Sequence, residues 1–433
     1  MTDSIWMKDE REQEARPKIR LEADLAIVGA GVLGSAAAYF ARQLGGADKK
    51  IVLLDSGKVA GAASGRNAGF VLRGIHTYYD SCISLYGRES AGRIYRMGEE
   101  NQALVRQFVL EQGLDIEVVE GGSYILASSL EELDRLSQSA KLMQEDGFEL
   151  TLHTQDPLDR GFYGAIYNPG DFGINPVKLV RTLVKAAQVE LLEEEALLNF
   201  EHGSPHTLET SGALIQAKRV LFCTNAYLPM ILPGFLDHLR PARGQMFSTV
   251  PLKKKLVDKL CYANYGFEYF RQLPDHRLLL GGARQLFLDE ESGFSEAVTG
   301  QVQNTLEEYL KDHFPEAAGV AIEKRWSGIM AFTEDGLPYL GELPKQPGVY
   351  CAVGCNGHGL GWAMTLGRLA AGVTQGGEEG RKAKENKDLS YFTIDRIAQF
   401  EKDKAAQLAQ SGQNKAKPNP KATSSRLQAL TEG

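Results

Sequence analysis

The sequence predicts an α/β fold: a mostly parallel, helix-flanked sheet interrupted by an inserted unit of α+β character built on an antiparallel sheet. Three observations carry this. Residues 23–28 are an apolar run that enters the turn Gly29-Ala30-Gly31-Val32-Leu33-Gly34 and then a helix of small residues. A second apolar run, Ile51-Val52-Leu53-Leu54, ends in Asp55. Near the other end of the chain, residues 349–353 lead through Gly354-Cys355-Asn356-Gly357-His358-Gly359 into another helix, which repeats the opening arrangement.

The opening turn separates three physical requirements. Gly29 permits the tight turn, Gly31 lets a pyrophosphate approach the backbone, and Gly34 lets the helix pack closely on the strand. The helix beginning near Val32 directs its free N–H groups at the phosphates. Asp55 follows the last glycine at about the 20-residue spacing of a carboxylate that holds the adenosine ribose hydroxyls. Strand, turn, helix, strand and acid in that order read as a Rossmann-like dinucleotide site; a purely structural glycine turn accounts for the glycines alone.

In chain order, residues 1–21 are a charged lead-in. The nucleotide-binding unit is expected at 22–85, 150–235 and 325–385, and the substrate unit at 86–149 and 236–324. The stretch Gly61-Ala62-Ala63-Ser64-Gly65-Arg66-Asn67-Ala68-Gly69 is too rich in small residues for a buried strand or stable helix, and reads as a loop passing close to a ligand. Residues 87–113 and 130–145 carry helical periodicity on either side of a strand at 122–126. Pro176 opens a helix to about residue 186. A short strand at 189–192 and a buried strand at 219–226 follow; the latter ends in Thr224 and Asn225, at the kind of strand end where open α/β sheets bind ligands. Residues 267–271 and 277–282 alternate as antiparallel strands around the turn Leu273-Pro274-Asp275-His276. A helix at about 294–312 completes the second inserted stretch. The late helix starts at the 354–359 turn, ends near Gly372, and favours an anion at its N-terminus. From residue 401 to 433 the composition turns to Lys, Ala, Gln, Ser, Asn and Pro and reads as a disordered tail.

Composition narrows the function. A chain of 433 residues with 43% hydrophobic content is long enough for two or three packed domains. No run is long and apolar enough to span a bilayer, and the first 20 residues lack the apolar core of a secretion signal. Five scattered cysteines fit a reducing compartment, so the cytoplasm is the expected location. A net charge of -8 argues against a nucleic-acid partner.

Four separated segments carry a resemblance: Gly29 to Gly34 with Asp55; Ala63 to Gly69; Arg243-Gly244-Gln245 with the Tyr269 strand; and Asp335-Gly336-Leu337-Pro338 through Gly359. On these the chain resembles the D-amino-acid oxidase superfamily of FAD-dependent oxidoreductases, in the branch of glycine oxidase, sarcosine oxidase and γ-glutamylputrescine oxidase. The resemblance implies a discontinuous Rossmann-like FAD-binding domain. It places Gly29, Ala30, Gly31, Val32, Leu33 and Gly34 at the pyrophosphate, Asp55 and Ser56 at the adenosine, and Ala63, Ser64, Gly65, Arg66, Asn67, Ala68 and Gly69 along the flavin. Leu197 is the nearest match to a backbone contact on the adenine, and Thr224 and Asn225 lie beside the nucleotide. Gly357, His358, Gly359 and Leu360 would lie against the isoalloxazine, where a helix N-terminus stabilises the negative charge of reduced flavin.

The implied reaction is oxidation of a primary or secondary amine or an amino acid at its C–N bond. Hydride passes to the flavin, the imine hydrolyses, and dioxygen is reduced to hydrogen peroxide. A quinone or carrier acceptor, as in a D-amino-acid dehydrogenase, is the alternative. An apolar pocket would favour the neutral amine, so no dedicated base is required. Two departures qualify the match. Where amino-acid-oxidising relatives place an arginine for the substrate carboxylate, this chain has Met330, which favours an amine or N-substituted substrate anchored elsewhere. Where covalent relatives attach flavin through cysteine, it has Gly328, so non-covalent FAD is expected.

Each candidate has a plainer reading. Tyr269 either presents its hydroxyl to substrate or is strand core. Arg66 either touches flavin or pins its own loop. His358 acts as a base or, between two glycines, only through its backbone. Cys351 and Cys355 lack a second ligand pair, so no metal is expected. Arg73, Arg271 and Arg284 are alternatives for the missing carboxylate anchor, against ordinary salt-bridge roles. Met330 is a pocket wall or packing. At the level of the whole chain, a nicotinamide-dependent dehydrogenase and a non-catalytic flavin-binding subunit stand beside the flavin amine oxidase.

Overall fold

The structure, a computed structural model, describes residues 18–113, 115–400 and 402. The tail expected to be disordered, 401–433, lies outside the described residues apart from Lys402. A six-stranded sheet has the order Glu190–Leu192, Ile51–Leu54, Leu25–Val28, Val220–Phe222, Val349–Val353, Tyr339–Glu342. The first five strands are parallel and the last is antiparallel. Their near-continuous apolar sequences follow from burial on both faces.

Register places Val28 beside both Leu54 and Phe222, so the first glycine turn, Asp55 and Cys223 leave the sheet at one edge. Helices Val32–Gly45, Pro176–Ala187 and Gly359–Val373 share one core cluster on this sheet. Asn175 caps the second of them by accepting from Lys178 N at 3.2 Å, with Pro176 at the first helical position. Gly367 of the late helix lies so close to the early helix that a methyl on it would come 2.6 Å from Ala36 Cβ.

An eight-stranded sheet has the order Ile322–Phe332, Arg240–Thr249, Leu278–Gly282, Glu268–Gln272, Leu260–Ala263, Ser123–Ala127, Gly164–Asn168, Thr151–His153. It is antiparallel except where Leu260–Ala263 meets Ser123–Ala127. Helix Gly300–His313 covers one face, packing Val302, Leu306 and Leu310 against Phe247 and Phe270. Alternation along Glu268–Gln272 sends Phe270 to that helix and Tyr269 to the opposite face.

Several sequence expectations shift. Strands Thr151–His153 and Gly164–Asn168 lie beyond the expected 149/150 boundary yet pair in the eight-stranded sheet, as does Ile322–Phe332, which crosses 324/325. The helix expected from about 294 begins at Gly300, because Thr299 N is held by Gln245 Oε1 at 3.0 Å and the preceding residues bind arginines elsewhere. A four-stranded sheet of Ile19–Ala23, Ala213–Ala217, His206–Thr210 and Leu197–Glu201 was not anticipated, nor was helix Tyr79–Tyr86.

Candidate active site

A single cavity of about 1160 Å³ runs between the two sheets. It exceeds the roughly 300–1,000 Å³ of ordinary small-ligand pockets. Gly29, Gly31, Val32, Leu33, Asp55 and Ser56 of the early turn line it, as do Gly357, His358, Gly359 and Leu360 of the late turn and Ala63, Ser64, Arg66, Asn67 and Ala68 of the loop. Leu197, Thr224, Asn225, Gly328, Met330 and Tyr269 line it too.

At the early end Gly29 has φ +108, and a methyl there would sit 2.6 Å from the Cys223 carbonyl oxygen. A methyl on Gly31 would lie 2.8 Å from Ser64 Oγ, which accepts a hydrogen bond from Val32 N at 2.9 Å. Asp55 accepts from Ala30 N at 2.7 Å and Gly57 N at 2.8 Å, tying the second strand to the first turn. Ala30, Gly34, Gly65 and Gly69 do not line the cavity. They shape its backbone: a methyl on Gly34 would overlap the Gly29 carbonyl oxygen.

The middle is a pinned loop. Ala63–Gly65 forms a single 3₁₀ turn, and Asn67 donates to Ser64 O at 2.8 Å while accepting from Gly69 N at 2.8 Å. Arg66 donates to Gly61 O at 3.0 Å, Ser327 O at 3.1 Å and Glu296 at 2.9 Å, so its guanidinium fastens the loop to strand Ile322–Phe332. Arg271, 2% exposed, donates to the carbonyls of Ala68, Gly69 and Ile174. Burial pushes its pKa down to about 10. Arg73 is engaged by Glu99 and Asn168. Both guanidiniums are thus engaged by groups of the protein.

At the late end Asn225 Oδ1 accepts from Gly354 N at 3.1 Å and Cys355 N at 3.4 Å, so the strand end that carries Thr224 fixes the second turn. Buried Asn356 accepts from Thr333 N at 2.9 Å and closes the turn from the other side. The His358 ring lies 6.2 Å from, and nearly parallel to, that of Tyr262. Burial, reinforced by nearby His76, pulls the imidazole pKa down to about 4. Burial also pushes the Tyr269 hydroxyl up to about 12. Met330 Cε and Tyr269 Oη converge over Gly244, 3.1 and 3.5 Å from where a methyl on that glycine would stand. Met330 Sδ lies 3.5 Å from the corresponding position on Gly357.

Tyr262, Tyr265 and Phe332 complete this wall and were missed in the sequence. The four-residue strand Leu260–Ala263 is too short to show a period, and Phe332 differs from ordinary strand core only in the direction it faces.

Residues 24–373 match the family described as FAD dependent oxidoreductase, DAO. The chain belongs to this family. Its cofactor is FAD, and it is an enzyme of the oxidoreductase class. The probable oxidoreductase OrdL of Rhizobium meliloti is 28% identical, covering 82% of this chain and 83% of that protein. The gamma-glutamylputrescine oxidoreductase of Escherichia coli is 25% identical, covering 83% and 85%. The crystal structure of glycine oxidase from Geobacillus kaustophilus superposes with TM-score 0.68 at 24% identity, covering 80% of this chain and 93% of that one, and so shares the fold.

The cavity suits an FAD of this family. Its lining includes two glycine turns, each at a helix N-terminus, and a side chain on Gly31 would intrude where the backbone must be approached. No described helix is long and apolar enough to cross a membrane.

Proposed function

We propose that the chain oxidises the C–N bond of an amine or amino acid, with FAD held non-covalently along the cavity and the substrate between the second turn and the Tyr269 strand. The observation that carries this is one cavity bordered by both glycine turns, with Tyr269, Met330 and His358 gathered at the second. The first turn, Asp55, Ser56, Leu197 and Thr224 would hold the adenosine and pyrophosphate; residues 63–69, Gly328 and Gly357 to Leu360 would hold the ring system. On this reading the six-stranded sheet with its helices is the nucleotide unit and the eight-stranded sheet is the substrate platform.

When bound, flavin supplies a two-electron acceptor for conversion of an amine to an imine. The protein's contribution is orientation and electrostatics. The apolar wall at Met330 and the desolvation of the cavity disfavour an ammonium ion, so the substrate gives up its proton to solvent before it reacts. Gly359–Val373 presents its N-terminus at the cavity, and its backbone N–H groups favour negative charge developing there. His358 is neutral at physiological pH, which supports a contact role over a proton-transfer role. Tyr269 keeps its proton and can donate a hydrogen bond.

The relatives' names support amine and amino-acid substrates. Dioxygen is the proposed acceptor, and the cytoplasm, consistent with five free cysteines, the proposed location. Anaerobic bleaching of the flavin by polyamines, γ-glutamyl amines, sarcosine, glycine and D-amino acids tests the reaction, followed by readmission of air. Rapid recovery with peroxide supports an oxidase; recovery only with a quinone makes it a dehydrogenase; no bleaching by any amine overturns the reading.

A further inference from the structure

Three arginines line the cavity: Arg66, Arg73 and Arg284. Arg66 is paired with Glu296 and Arg73 with Glu99. Arg284 differs. Among the described residues its guanidinium has no hydrogen-bond or ion-pair partner. It lies 5.1 Å from the centre of the Phe267 ring and 4.7 Å from that of Phe332. Two aromatic faces hold the plane of a guanidinium while leaving its edge donors free, and those donors match the two oxygens of a carboxylate.

The position of Arg284 is set by the strand that carries Met330. Gly328, Met330 and Phe332 alternate onto the cavity face of Ile322–Phe332. Gly328 abuts Arg66 and Ala63 in the flavin-side loop, Met330 abuts Gly357, and Phe332 lies under Arg284. Each step of two residues moves about 7 Å along the strand, away from that loop. The strand thus meets a cation not at position 330 but beside Phe332, one side-chain repeat further along. At roughly 1.2 Å per bond in an extended chain, that displacement corresponds to about five or six more bonds between reacting carbon and carboxylate than in an α-amino acid.

We propose that Arg284, clamped between Phe267 and Phe332, anchors a carboxylate remote from the reacting carbon. The substrate class is then ω-amino acids or N-substituted amines that carry a distal carboxylate. Met330 and Tyr269 line the apolar tunnel through which the spacer passes. This inference rests on the flavin amine oxidation proposed above.

The test uses the full-length, flavin-loaded protein, with Arg284→Ala and Arg284→Lys. Binding of non-oxidisable straight-chain carboxylates, from acetate to octanoate, is read by the shift they cause in the flavin absorption spectrum. Anaerobic bleaching is measured in parallel with glycine, with longer ω-amino acids and with unsubstituted alkylamines.

Carboxylate affinity is expected to rise with chain length and, among the ω-amino acids, KM to be lowest at about seven or eight carbons. Arg284→Ala should weaken carboxylate binding by about ten- to hundredfold, the loss of a charge-assisted pair. The effect should fall on KM, be much smaller for alkylamines of equal length, and be partly rescued by lysine. Equal losses for carboxylates and alkylamines, or glycine as the best substrate, overturn the anchor while leaving amine oxidation standing. A protein whose flavin no amine bleaches removes both.

Discussion

At Gly31 the fold leaves room for a hydrogen but not for a methyl beside Ser64 Oγ. Serine can rotate away, so Gly31→Ala should lower the apoprotein's stability by only about 1 kcal/mol, the value of the lost Val32 hydrogen bond. Its larger effect should be on flavin retention, seen as a fall of at least about tenfold in FAD affinity. A different lesson comes from His358. Its folded pKa of about 4 lies below the ordinary histidine value, so the unfolded chain takes up this proton first as pH drops. The stabilisation is complete above about pH 6.5 and is lost as pH falls through 4. Tm measured across that window should fall more steeply for the wild type than for His358→Asn, and the pH-rate profile should show no His358 inflection between about pH 5 and 8. Met330 and Tyr269 were identifiable as candidates by reading along the chain. That Arg284, alone among the three cavity-lining arginines, lacks an acid was not, because its neighbours Phe267 and Phe332 are 17 and 48 residues away.

Among the elements, helix Arg88–Gln112 supports the second turn through one buried side chain. Asn101 donates to Leu360 O at 2.8 Å and accepts from Met364 N at 2.8 Å, inserting itself into the first turn of Gly359–Val373. Replacing it with leucine removes both bonds and adds bulk, and should cost about 2 kcal/mol or more by denaturant midpoint. Flavin should be retained less well, because the loosened turn borders the cavity where the ring is proposed to lie. Arg271→Met tests the other support. Three carbonyls lose a donor together, Gly69 O keeping a second one from Ile174 N, so stability should fall by about 2–4 kcal/mol, with protease cleavage appearing in the 63–69 loop. The long helices were legible because their signals are local: Ser129 Oγ caps Leu130–Glu145 through Glu132 N, and Gly113 ends Arg88–Gln112 in the left-handed conformation. Membership of strands 151–153 and 164–168 in the second sheet is not legible locally, because it depends on 164–168 pairing with Ser123–Ala127 and 151–153 pairing in turn with 164–168.

For the molecule as a whole, two sheets built from alternating stretches of chain meet along one cavity, so a ligand filling it should stabilise both. Adding FAD to apoprotein should raise Tm with ligand concentration, the stabilisation reaching about 2.7 kcal/mol at 100 times the dissociation constant. Calorimetry should then show one merged transition; two transitions that do not respond to FAD would contradict a shared ligand. The near contact of Gly367 with Ala36 has its own consequence at this scale. The two helices whose starts border the cavity approach backbone to backbone, so the span between the two turns is set by a rigid seam and not by loop length. On the binding mode proposed above, the protein works as a calliper. A flavin mononucleotide, lacking the adenosine half, would reach only one jaw, and Gly367→Ala, by wedging the seam open, should erode the preference for the longer molecule.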